Sequence, residues 1–257
     1  MAGRMDVRRS HDGRVAHVAV DHDAKLNTLN PELMRDFAET FATLGEDAAL
    51  RAVVLTGAGP RAFIGGADIG VMAGLQDPAA GGAFISLVHG CCRTVRDCPV
   101  PVIARVNGWC LGAGLEIAAS CDLRIAVEDA KFGMPEVRVG IPSVVEAALL
   151  PGLIGWGRTR RLLLLAETIG AAEALDWGLV EKVVGADALD GAVEAWIHLL
   201  LEAGPDAIRA QKALIRRWED ETMSQGIAAG IGAFAASFRT EEPRTMLGGF
   251  LAQRKKG

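Results

Sequence analysis

The sequence predicts an α/β fold that ends in a helical region, and three observations carry the prediction. Short β-branched runs alternate with amphipathic helical stretches as far as about residue 185. Two of the strand-like runs lead into glycine-rich turns. From residue 186 onward only helical patterning is left, broken at Gly204-Pro205 and at Glu241-Glu242-Pro243. The division expected is therefore a core over residues 1–185 that carries the chemistry, and a helical region over 186–257 that needs a surface to pack against.

Taken in order, residues 15–20 (VAHVAV) and 51–56 (RAVVLT) read as strands. Between them Asn30 and Pro31 open a helix with Leu33, Phe37, Phe41 and Leu44 on one face. Residues 102–106 (VIARV), 123–127 (LRIAV) and 179–184 (LVEKVV) read as further strands. Helical patterns lie around 83–96, 113–121 and 143–150. No fixed-period repeat or low-complexity tract appears.

Composition excludes several classes. A chain of 257 residues, half hydrophobic and 23% charged, buries a sizeable core and is far from the composition of disorder. A net charge of -5 gives no basic face for nucleic acid. The one basic cluster, Arg254, Lys255 and Lys256, reads first as a solvated tail. Five cysteines without a CxxC pair argue for reduced thiols in a cytoplasmic protein. The five histidines have no HExxH-like spacing, so no metal site is expected. Arg4, Arg8 and Arg9 are not followed by an apolar stretch, and no run of 18 apolar residues occurs, so neither secretion nor membrane spanning is expected.

The chemistry concentrates in two loops. GAGPRAFIGGAD (57–68) follows a strand and could bring backbone NH groups to a ligand oxygen, although in isolation a tight structural turn is the favoured reading. It lacks the third glycine of a dinucleotide fingerprint and the GK[ST] of a phosphate loop. NGWCLGAGLEIAASCDL (107–123) repeats the arrangement and opens a helix, whose unpaired NH groups and partial positive charge would stabilise an oxyanion near Ala113. Glu116 lies in the first turn of that helix, where it could simply complement the dipole, and Glu136 follows Pro135 in what could be a solvated loop.

The ordered segments AFIGGAD, NGWCLGAGLEIAASCDLRIA, FGMPEVRVGIP and ALDWGLVEKVV closely resemble the crotonase superfamily, whose type member is enoyl-CoA hydratase. The resemblance runs from KLNTLN at residues 25–30 to the last helix. It implies a ββα spiral core with a C-terminal helical trimerisation region, and assembly as a homotrimer or a hexamer made of two trimers. It also implies that the NH groups of Ala67 and Ala113 form an oxyanion hole, that Glu116 activates water, and that Glu136 protonates C2 of a 2-enoyl-CoA thioester. Coenzyme A, present as part of the substrate and with no separate cofactor, would lie along Gly65, Gly66, Asp68 and Ile69. Its phosphates would lie near Lys25, and Phe250 would reach a neighbouring subunit's coenzyme.

Three departures from the family pattern stand out. Gly70 and Gln253 occupy places where many hydratases carry lysine, with Arg254 or Lys255 as substitutes, and SVVEAALL replaces a glycine-rich run after Pro142. In that segment Ser143 and Glu146 have the SxxE spacing of a capping box. The alternatives are an enoyl-CoA isomerase working through the second glutamate, another acyl-CoA lyase of the superfamily, or a non-catalytic binding protein of the same fold. A Rossmann-type oxidoreductase is disfavoured by the missing fingerprint. The dihydroxynaphthoyl-CoA synthase branch, which uses a catalytic tyrosine, is disfavoured because this chain contains none.

Overall fold

The computed structural model of the protein describes residues 3–254, so Lys255 and Lys256 lie outside the described residues. The chain opens with an antiparallel hairpin of β1 (Arg4–Ser10) and β2 (Val15–Asp21). Helix α1 (Pro31–Gly45) then leads to β3 (Ala52–Gly57), which lies parallel to β2. Asn30 caps α1 by accepting a hydrogen bond from the Leu33 NH at 2.8 Å, and Pro31 supplies a helical φ where the NH it lacks would have no intrahelical acceptor. The expected face of Leu33, Phe37, Phe41 and Leu44 is buried, with Phe37 and Phe41 stacked at 4.8 Å.

A two-strand, one-helix path then repeats. After β3 come β4 (Ala62–Ile64), α2 (Ile69–Ala73) and α3 (Pro78–Asp97). β5 (Val102–Val106) is followed by β6 (Trp109–Leu111) and α4 (Ala113–Ser120). β7 (Leu123–Val127) is followed by β8 (Lys131–Gly133), by 3-10 turns at Glu136–Val139 and Val145–Leu149, and by α5 (Leu150–Leu165). β9 (Thr168–Gly170), α6 (Ala171–Trp177) and β10 (Lys182–Val184) complete the core path. The first strand of each repeat joins a six-stranded sheet ordered β1-β2-β3-β5-β7-β10, and the second joins a four-stranded sheet ordered β4-β6-β8-β9. This is the ββα spiral, with Phe63 and Phe132 fully buried in the core.

The strands of the smaller sheet were not anticipated, because three residues are too few to display an alternation. β1 was also not anticipated; it is a polar edge strand, RMDVRRS, without a buried face. The stretch 179–184 is strand only over Lys182–Val184, since Leu179 and Val180 are buried in the turn after Gly178, which ends α6 in left-handed backbone at φ 78. The helix expected at 143–150 is instead the 3-10 turn Val145–Leu149, and α5 begins at Leu150.

Four helices follow, α7 (Leu189–Glu202), α8 (Pro205–Asp220), α9 (Met223–Ser237) and α10 (Glu242–Arg254). α7 packs against β5 and β7 and buries Leu189, Ala192, Val193 and Ile197 in the same core, so core packing continues beyond residue 185. α8 is tied down by Lys212, whose buried ammonium donates to the Asp122 carboxylate at 2.7 Å and the Val100 carbonyl at 2.9 Å. α9 and α10 leave Ile231, Phe234, Leu247 and Phe250 more than half exposed.

Removing one partner of such a buried pair leaves the other charge poorly solvated. Lys212→Ala is expected to destabilise the fold by about 3 kcal/mol, read as a lower midpoint in urea at unchanged slope.

Candidate active site

The two glycine-rich loops meet at a cavity of about 490 Å³. In the first loop, the Leu29 NH donates to the Gly66 carbonyl and the Asp68 NH to the Leu29 carbonyl, both at 2.9 Å. These bonds pin Ala67 from both sides, and its own NH donates to no acceptor among the described residues. In the second loop, Gly112 stands at the N-terminus of α4 with φ 51, and its carbonyl accepts from the NH groups of Leu115 and Glu116. Ala113, the first helical residue, likewise has an NH without an acceptor among the described residues.

Gly114 allows the loops to converge. A Cβ at this position would lie 2.1 Å from the Ile64 carbonyl oxygen, so the start of α4 rests directly on the end of β4. Ile64 immediately precedes the first loop, and the contact thereby brings Ala67 and Ala113 to one cavity wall.

Glu116 and Glu136 line the same cavity. Glu116 is only 4% exposed, and its Oε1 accepts from the Ala147 NH at 3.2 Å. Burial first, then the charge of Glu136, pushes its carboxyl up to about 8, and Glu146 adds to the rise. Glu136 sits in the 3-10 turn after β8, where its Oε2 accepts from the Ser143 hydroxyl at 2.8 Å. Its Oε1 lies 2.6 Å from where a Cβ on Gly112 would be, which places this carboxylate over the N-terminus of α4. Apolar side chains including Met72, Leu75, Phe84, Ile85, Ile141 and Val144 make up much of the remaining wall. The cavity thus brings together two unengaged NH groups, two carboxyl groups and an apolar wall for an attached chain.

The capping box read at Ser143 and Glu146 does not form. Val144, not Ser143, precedes the 3-10 turn and makes no side-chain cap, and Val145 at φ 40 takes the backbone off a helical path between the two side chains. Ser143 holds Glu136 instead. Glu146 is buried at 4% exposure, with Oε1 2.8 Å from the His89 Nδ1 on α3 and Oε2 without a partner among the described residues. Nothing in the local sequence pairs His89 with a residue 57 positions away.

Other residues singled out in the sequence take varied places. Lys25 pairs with Asp68 at 3.1 Å, which holds the Asp68 carboxyl below its ordinary range. The other Asp68 oxygen caps α2 through the NH groups of Gly70 and Val71. Gly65 donates to the Leu26 carbonyl at 2.9 Å, and Ile69 stands largely exposed at the cavity rim. Phe250 lies on α10, away from the cavity of its own chain, with the Arg254 guanidinium 6.0 Å from its ring.

The family described as enoyl-CoA hydratase/isomerase matches residues 10–257. The short-chain-enoyl-CoA hydratase of Clostridium acetobutylicum is 35% identical over 245 residues, covering 95% of this chain and 94% of its own. The crotonyl-CoA hydratase of Syntrophomonas wolfei is 33% identical over 243 residues, covering 94% and 93%. The crystal structure of an enoyl-CoA hydratase from Bacillus anthracis superposes with a TM-score of 0.92 at 30% identity, covering 97% of this chain and 96% of that one. Matched over nearly its whole length in sequence and in fold, the chain belongs to the enoyl-CoA hydratase/isomerase family, in the crotonase superfamily.

Proposed function

We propose that the protein adds water across the C2=C3 bond of a 2-enoyl-CoA thioester. The observation that carries this reading is the pair Glu116 and Glu136 on one cavity with the unengaged NH groups of Ala67 and Ala113. The thioester oxygen accepts from both NH groups, which draws electron density from the conjugated double bond. Ionised Glu116 takes a proton from water as its oxygen bonds to C3, and the charge collects as an enolate facing the two donors. In the reactive form the two carboxyls hold one proton between them, and from Glu136 it is delivered to C2. One water is consumed, one of its protons rests on Glu116 so that the pair again holds a single proton, and the enolate returns to a thioester. The burial and neighbouring charge that raise Glu116 to about 8 keep this one proton on the pair at neutral pH. Ser143 orients Glu136, and the Ala147 NH orients Glu116.

In this reading coenzyme A lies along the first loop, with Lys25 available to a phosphate once it exchanges its Asp68 partner. Assembly as a trimer, alone or doubled into a hexamer, is supported by the apolar surface that α9 and α10 expose. A cytoplasmic setting is supported by five free, buried cysteines. No helix among the described residues is long and apolar enough to cross a membrane.

With crotonyl-CoA, loss of the conjugated-enoyl absorbance is expected from the native protein, and Glu116→Gln or Glu136→Gln should lower kcat by roughly 10²–10⁴-fold. No absorbance change with any enoyl chain length would refute the hydratase reading, and a gain of conjugation from a 3-enoyl-CoA would replace it with isomerisation.

The pH dependence follows from the raised Glu116. kcat/KM should fall with rising pH as the pair loses its one proton near 8, and Glu146→Gln should move this limb to lower pH by removing a neighbouring negative charge. Stability should run the same way. Between the unfolded carboxyl value of about 4.3 and the folded value near 8, the unfolded chain has released a proton that the folded chain still holds, so stability falls as pH rises. Glu116→Gln should therefore melt higher than the native protein at pH ~8 and equally at pH ~4, where both forms are neutral.

Light scattering at micromolar concentration should give a mass three or six times that of the chain; a monomer would count against the assembly.

A further inference from the structure

A second cluster of chemistry-bearing side chains lies away from the cavity. Glu194 and His198 stand one turn apart on α7, and His11 reaches them from the β1–β2 turn, 183 residues earlier than Glu194. The His11 Nε2 lies 2.7 Å from the Glu194 Oε1, and the His198 Nε2 lies 3.5 Å from that same oxygen. One potential ligand atom from each of the three falls within 4.8 Å of the others. In a tetrahedral shell with bonds near ~2.0–2.1 Å, neighbouring ligand atoms lie about 3.4 Å apart. The observed spacings bracket that figure, and His198, 62% exposed, has room to rotate inward.

His11 is oriented as a metal-binding histidine is. Its Nδ1 lies 2.9 Å from the Ser10 hydroxyl, which is also 2.8 Å from the His17 Nε2. The turn itself is fixed in left-handed backbone at His11 (φ 52) and Asp12 (φ 57). An Nδ1–H donating to Ser10 leaves Nε2 as the lone-pair nitrogen directed at Glu194. Burial, the largest influence on His17, lowers the pKa of that ring beside the cluster.

We propose that His11, Glu194 and His198 form a binding site for a divalent first-row transition ion, with Zn²⁺ the best match. Two imidazoles and one carboxylate suit zinc, with water completing the shell, whereas Mg²⁺ and Ca²⁺ demand oxygen ligands throughout. The ion clips the β1–β2 hairpin to α7. None of the three residues lines the catalytic cavity, so the clip acts on stability and leaves hydration unchanged.

The untagged full-length protein, freed of metal with a chelator, is titrated with Zn²⁺ by calorimetry and in parallel with Co²⁺ by visible absorption. The expected result is one ion per chain, a rise of several degrees in Tm with Zn²⁺, and no binding heat with Ca²⁺ or Mg²⁺. His198→Ala, on the exposed helix face, and Glu194→Gln should each weaken Zn²⁺ binding by at least about tenfold, while native crotonyl-CoA turnover certifies that they are folded. Absence of saturable one-to-one binding, or binding unaltered in both folded variants, would overturn the site.

Discussion

The approach of α4 to the end of β4, backbone on backbone at Gly114 and Ile64, sets the geometry of the cavity. A side chain at Gly114 would push the helix away from the strand. Ala113 and Glu116, which ride on that helix, would then separate from Ala67, which follows the strand. The NH group of Ala113 is unengaged because it lies in the first turn of a helix, and that of Ala67 because its neighbours are pinned to Leu29 on both sides. Neither donor depends on a side chain, so alanine serves at both places, and the demand falls on backbone position.

Burying ionisable groups around this framework opposes stability and favours chemistry. Glu116 lies within reach of two further carboxylates, Glu136 and Glu146, and has little water to spread its charge. The protein meets this with a small number of placed donors. The Ala147 NH serves Glu116, the Ser143 hydroxyl serves Glu136, and the His89 ring serves Glu146. All three arrangements depend on the 3-10 turn Val145–Leu149 and the residues just before it, where the strained φ of Val145 sends Ser143 and Glu146 in different directions. The segment that departs most from the family's glycine-rich pattern is thus the one that holds the carboxylates.

The C-terminal helices divide into two behaviours. α7 and α8 are fixed to the core, the first by apolar burial and the second by Lys212 on Asp122. α9 and α10 present large apolar side chains outward. α7 also carries two of the three residues of the proposed ion clip, so the β1–β2 hairpin is bound to it through polar contacts.

What the sequence determined by itself is local. The cap at Asn30 and the spacing of Leu33, Phe37, Phe41 and Leu44 specified α1, because capping and a 3.6-residue period act over one or two turns. Glycine followed by a helix marked both NH loops, and ordered motifs placed Ala67, Ala113, Glu116 and Glu136, which share one cavity. Where segments are three residues long, or polar at a sheet edge, no period exists to read, and β1, β4, β6, β8 and β9 were decided by their neighbours. Tertiary structure alone decided that Glu146 meets His89 and that His11 meets Glu194 and His198. Those partners lie far apart along the chain, and only the packing of the sheets and helices determines which distant side chains come within hydrogen-bonding range.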